Sequence, residues 1–73
     1  MIDWLPVTDS KRVIASAYDA DGERILVRFP DGKEWQYHGC PLTVWEEFIA
    51  PGTSKGTFIH QRLNFHANGP VVD

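Results

Sequence analysis

One cysteine, Cys40, stands among the 73 residues, so no disulfide can form within the chain. No apolar run approaches the ~18–20 residues of a membrane span; the longest aliphatic run is Ile25-Leu26-Val27. The opening Met1-Ile2-Asp3-Trp4 has neither the basic start nor the apolar stretch of a signal peptide. These absences predict a protein of a reducing cytoplasm with no membrane contact. Internal repeats and low-complexity segments are lacking too. So are a paired-carboxylate motif, a Ser-His-Asp order and the glycine spacing of a Walker loop. A chain this short also has little volume for a closed pocket unless two copies build one. The expectation is a non-catalytic protein with no cofactor.

Positive charge is scarce and unevenly placed. Seven Lys and Arg face ten Asp and Glu, a net charge of −3. Proteins that hold long nucleic acids are usually basic, because phosphate neutralisation drives much of their affinity. Up to Ala50 there are nine acids against five Lys or Arg; from Pro51 onward Lys55, Arg62, His60 and His66 meet only Asp73. A cationic region confined to the last third suits a small anionic nucleotide or a single phosphate better than a duplex.

What the chain has in quantity is aromatic bulk: Trp4, Trp35, Trp45, Phe29, Phe48, Phe58, Phe65, Tyr18 and Tyr37. Below roughly 70–80 residues a core rarely supplies more than about 3–5 kcal/mol, and small domains often add a disulfide, a metal or a partner subunit. Large rings bury much area per residue. The domain is therefore expected to fold alone, with a homodimer as a second way to cover its core.

The pattern of residues predicts an α+β domain: a three-stranded antiparallel β-meander followed by two short α-helices packed on one face. Val13 to Tyr18 reads as a strand, and Asp19-Ala20-Asp21-Gly22 as a tight turn in which Gly22 takes a positive φ. Glu23 to Phe29 alternates with period two: Ile25, Val27 and Phe29 on one face, Arg24, Leu26 and Arg28 on the other. Asp31-Gly32 is a hairpin signal, and Lys33 to His38 is the third strand. After Gly39-Cys40-Pro41, Thr43 and Glu46 form a capping-box pattern, and Leu42, Trp45, Phe48 and Ile49 should face the sheet. Pro51-Gly52 ends that helix. Thr53 to Gly56 reads as a polar loop. Phe58 to Phe65 suits a second helix, aligning either Phe58, Arg62 and Phe65 or Ile59, Leu63 and His66. Residues 1–12 are expected to form an irregular arm, since Pro6 opposes regular pairing. Residues 13–66 form the domain, and 67–73 a loose tail after the Asn68-Gly69-Pro70 turn.

These features in this order resemble the KTSC domain family, from about Val7 to Asn64. The resemblance is carried by Val-Ile-Ala-Ser-Ala-Tyr-Asp (13–19), Phe-Pro-Asp-Gly (29–32), Trp-Gln-Tyr (35–37) followed by Pro41, and Ser-Lys-Gly (54–56) with an aromatic soon after. The family centre is usually Tyr-x-Tyr, and here Trp35 stands for the first tyrosine. The resemblance implies a domain of about sixty residues, found alone in bacterial and phage proteins and at the C-terminus of some lysyl-tRNA synthetases. That context implies RNA binding by association, and a bacterial host cell as the compartment if the chain is phage-encoded. No catalytic residue is implied.

Several side chains carry candidate chemistry. Trp35 and Tyr37 share a strand face. Exposed, they would stack bases, but so small a domain needs the rings inside, with the Tyr37 hydroxyl left at the rim. Ser54, Lys55, Gly56 and Thr57 combine hydroxyls, a cation and a glycine that lets backbone approach a ligand. A helix starting near Thr57 would add free amides; the alternative is a plain N-cap and turn. His60, Arg62 and Asn64 follow and extend an anion site, or else form a solvated helix face. His38 lies beside the aromatic pair. His38, Cys40, His60 and His66 have metal-binding residue types, but their spacings are not those of a common zinc finger, so no metal is expected. Cys40 reads as a small apolar residue at a strand end rather than a nucleophile.

The expected ligand site is thus Tyr37, His38, Ser54, Lys55, Gly56, Thr57, His60 and Arg62, binding RNA or a small nucleotide. Two other roles are open: a phage-type sponge that sequesters a small nucleotide immune signal through the same patch, and a protein-interaction domain that uses the Trp4 arm or an exposed strand edge instead.

Overall fold

The computed structural model describes residues 3–8 and 10–71. Its elements run β1 (Leu5–Pro6), β2 (Ala15–Asp19), β3 (Arg24–Arg28), β4 (Glu34–Tyr37), α1 (Leu42–Ile49), α2 (Lys55–Gln61), a 3-10 turn (Leu63–Phe65) and β5 (Asn68–Pro70). The five strands described form one antiparallel sheet in chain order, β1-β2-β3-β4-β5.

The central three strands are the expected meander. The two edge strands are additions, and both come from segments that carry no strand pattern of their own. Leu5 pairs with Ser16 and Pro6 with Ala15. An edge position is where a strand tolerates a proline, and the Val7 amide continues the pairing to the Ile14 carbonyl at 2.9 Å. On the other edge Asn68–Pro70 pairs with β4. Side chains fix it there: Trp35 Nε1 donates to Asn68 Oδ1 at 3.0 Å and Gln36 Nε2 to the Pro70 carbonyl at 3.3 Å.

The turns obey local chemistry, with one exchange. Gly32, at φ +90°, closes the β3–β4 hairpin, where its amide donates to the Phe29 carbonyl. In the β2–β3 turn the left-handed residue is Glu23, at φ 50°, and not Gly22. Asp19 Oδ1 accepts from the Asp21 and Gly22 amides, an Asx-type turn that sets the first half of the loop. The Glu23 carbonyl then accepts from the Cys40 amide.

One sheet face carries Ile25, Val27 and Tyr37, and the helices close over it. Trp45, Phe48, Phe58, Leu63, Val13 and Cys40 complete the buried cluster. Trp45 stacks on Tyr18 at 5.7 Å, and Phe48 meets Phe58 at 5.4 Å. The Tyr18 hydroxyl donates to the Cys40 carbonyl. Helix α1 buries Trp45 and Phe48 and packs a half-buried Val44 against the core; Leu42 and Ile49 are exposed. Its cap is Pro41, without a side-chain bond, so the expected capping box does not form. Thr43 already lies inside the helix, past the position from which its hydroxyl could serve the first free amides. Phe65 also departs from the expected core, at 86 % exposure on the 3-10 turn.

The other sheet face is closed by ion pairs. Arg24 donates to Asp19 Oδ2 through Nε and Nη2, and to Gln36 Oε1. Arg28 pairs with Glu34 and lies 4.4 Å over the Trp4 ring. Under this cover Leu26 is buried although it faces away from the helices.

Candidate functional site

Four of the seven Lys and Arg side chains are held by carboxylates: Arg24 by Asp19, Arg28 by Glu34, Lys33 by Asp31 and Arg62 by Glu47. The remaining three, Lys11, Arg12 and Lys55, have no carboxylate partner among the described residues. All three line one groove of about 710 Å³, with Ser10, Thr53, Ser54, Gly56, Thr57, His60 and Gln61 among the other walls. No acid appears in that lining among the described residues.

Local turns build the groove. Ser10 Oγ accepts from the Arg12 and Val13 amides, turning the chain so that Lys11 and Arg12 emerge beside α2. Arg12 crosses the helix at Gly56: a Cβ placed there would lie 2.8 Å from Arg12 Cδ. The glycine therefore serves a side-chain crossing rather than a ligand's approach to backbone. Opposite, Gly52 and Thr53 follow α1, with Thr53 Oγ1 donating to the Glu47 carbonyl.

Of the residues expected at the site, Ser54, Lys55, Gly56, Thr57 and His60 meet here. Ser54 is the N-cap of α2, accepting from the Thr57 amide at 3.4 Å, while its carbonyl takes the Phe58 amide. Those amides are thereby used within the chain. Arg62 turns away, with its guanidinium 3.0 Å from Glu47 Oε2 and 5.1 Å from the Phe58 ring centre. Tyr37 is 2 % exposed and within the core, so its ring offers no face to a base; burial pushes its hydroxyl pKa up. His38 follows Tyr37 at the opposite end of the sheet, since Tyr37 pairs with Ile25 near the β2–β3 turn and the groove lies where β2 begins. Lys11 and Arg12 were missed by sequence reasoning. The available signal was two adjacent cations directly after a turn-forming Thr-Asp-Ser.

The metal-type residues do not assemble: no group of three or more His, Cys, Asp or Glu clusters among the described residues. Cys40 is fully buried, its thiol directed at the Tyr37 and His38 carbonyls, and burial raises its pKa. No described helix is long and apolar enough to cross a membrane.

The molecule is thus a small α+β domain, an antiparallel sheet in chain order with two helices on one face and a cationic groove beside the second. It belongs to the KTSC domain family, whose model matches residues 9–64. The structure is similar to the crystal structure of a KTSC domain protein from Yersinia pestis, with a TM-score of 0.84 and 24% sequence identity. That likeness covers 99% of this chain and 100% of the other. No curated protein matches the sequence.

Proposed function

We propose that the domain is a non-catalytic module that binds a small phosphorylated ligand, a nucleotide by preference, in the groove between residues 10–12 and α2. The observation that carries this reading is the sorting of cations. In a chain of net charge −3, the cations without a carboxylate partner among the described residues share one wall system that holds no described acid. Hydroxyls of Ser10, Thr53 and Thr57 and the ring of His60 supply further polar groups there. A groove with three cations fits a few phosphate oxygens, not a long polyanion track. Holding a nucleotide without changing it, as a sequestering protein would, needs only such a site.

The test is a calorimetric titration with nucleoside phosphates, cyclic dinucleotides and ADP-ribose, run beside labelled single-stranded RNA. A one-site isotherm is expected for at least one small nucleotide. The double variant Lys11→Glu/Arg12→Glu should bind roughly tenfold to a hundredfold more weakly, at about 1 kcal/mol or more per lost contact. Absence of heat and of thermal stabilisation at millimolar nucleotide would remove the reading. RNA binding with a salt dependence steeper than three phosphate contacts allow would replace it with a polymer-binding one.

A further inference from the structure

Two polar residues are buried among those described, Ser16 at 1 % exposure and Lys55 at 6 %. They come from different elements, β2 and the start of α2, yet both line one pocket of about 370 Å³. The rest of its wall is Leu5, Pro6, Val7, Thr8 and Ile49. The pocket lies between strand β1 and the end of α1.

The Lys55 ammonium sits 5.5 Å from the centre of the Phe48 ring. Among the described residues no carboxylate pairs with it and no acceptor bonds it. The Ser16 hydroxyl likewise makes no side-chain hydrogen bond there. Among the described residues no side-chain nitrogen or oxygen is sealed from solvent without a partner. Both residues line the one pocket they share. A cation drawn into an apolar setting without a counter-charge costs stability. Its retention beside a hydroxyl, in a concave site, marks a place where a ligand supplies the charge.

The chemistry of the wall selects the ligand. One ammonium and one hydroxyl match a carboxylate, which carries one charge and two acceptor oxygens. A phosphate monoester needs more donors than these two. Beyond the polar pair and Thr8 the wall is hydrocarbon, and Leu5 and Ile49 are left 47 % and 40 % exposed at its mouth. We propose that this pocket binds a short aliphatic monocarboxylate, its carboxylate on Lys55 and Ser16 and its chain against Leu5, Val7 and Ile49. The pocket shares Lys55 with the groove of the phosphate reading, whose other two cations, Lys11 and Arg12, do not line it.

The test is a thermal-shift series on the whole protein at fixed ionic strength. The probes are straight-chain carboxylates from acetate to octanoate, alcohols of the same lengths, and inorganic phosphate. Stabilisation should grow with carboxylate length and be absent for the alcohols, and any shift with phosphate should survive in Ser16→Ala. Lys55→Gln, which keeps a polar end without charge, should abolish it. Ser16→Ala should weaken binding threefold to tenfold. Without ligand, Lys55→Met should raise Tm by several degrees, because it replaces a buried cation, without a carboxylate partner among the described residues, by an apolar chain of similar length. Equal stabilisation by alcohols, or a carboxylate shift that survives in Lys55→Gln, overturns the proposal. So does a fall in Tm for Lys55→Met, which would mean that the ammonium has a partner within the chain.

Discussion

The outer face of the sheet and the flank of α2 use the same kind of residue for opposite ends. On the sheet, Arg24 and Arg28 lie across their strands, each bound by a carboxylate, and together they roof Leu26. Their charge is spent on covering hydrocarbon. Beside α2, Lys11, Arg12 and Lys55 line a groove in which no acid is described. The difference shows that a count of charges along the chain says little about where a field survives. The acidic average conceals one cationic surface because most of the cations are neutralised in place.

pH separates the regions most strongly. On the outer face the Arg24 hydrogen bonds hold the Asp19 carboxyl below its ordinary pKa, with the Gly22 amide adding to the effect. A depressed carboxyl contributes stability that is complete above the usual carboxylate range and is lost as pH falls through its folded value. In the core the order reverses. Burial raises the pKa of Tyr37 and of Cys40. The stability gained by keeping them protonated is complete below their unfolded values and is lost as pH rises. Above about pH 10 each such proton is worth up to about 1.4 kcal/mol per pH unit, a steep loss for a domain with only a few kcal/mol in hand. Denaturant midpoints from pH 3 to 11 should show a plateau, a shoulder in acid and a collapse in alkali. Replacing Asp19 by Asn should remove the acid shoulder alone. A protein as stable at pH 11 as at pH 8 would contradict the burial of Tyr37.

A smaller contrast lies within the paired cations. Arg24 makes three side-chain hydrogen bonds and shields Leu26, whereas Arg62 makes one contact with Glu47 at a site where both side chains are about half exposed. Arg62→Ala should cost about 0–1 kcal/mol. Arg24→Ala should cost clearly more, since it removes apolar cover as well as bonds. Neither should alter nucleotide affinity, and urea unfolding combined with titration of both variants measures the two effects at once. A loss of nucleotide binding in Arg62→Ala would restore that residue to the site and break the division.

The central meander and the first helix were legible because their signals are local; the second helix, expected from Phe58 to Phe65, runs Lys55–Gln61 and opens inside the stretch read as a loop. Period-two alternation in 24–29, Asp31-Gly32 and the recurrence of Trp45 and Phe48 each report on a few neighbouring residues. The edge strands were not legible, because Leu5–Pro6 and Asn68–Pro70 adopt strand geometry only once a partner edge exists. The same holds for the site. Ser54 to His60 could be read as a cluster because they are contiguous. Lys11 and Arg12 are more than forty residues away from them in sequence and reach the groove through a turn closed by Ser10. The misplacement of Arg62 has a related cause: its partner, Glu47, lies on the other helix, at a distance no helical periodicity reports.

The most delicate probe of the division is Gly56. It lies inside α2, where alanine is favoured over glycine by about 1 kcal/mol. Its φ is not in the left-handed region, so backbone strain does not oppose the change. What opposes it is Arg12, whose Cδ would stand 2.8 Å from the new methyl group. That atom belongs to a flexible side chain, so it can move aside at little cost, and the movement carries the guanidinium away from its place in the groove. Gly56→Ala should therefore leave stability unchanged or slightly raised while weakening nucleotide binding threefold to tenfold. Thermal denaturation and calorimetry on the one variant would separate the two effects. Were affinity to stay constant, the Arg12 crossing would be packing alone, and the contrast between cations with and without a described carboxylate partner would rest on Lys11 and Lys55.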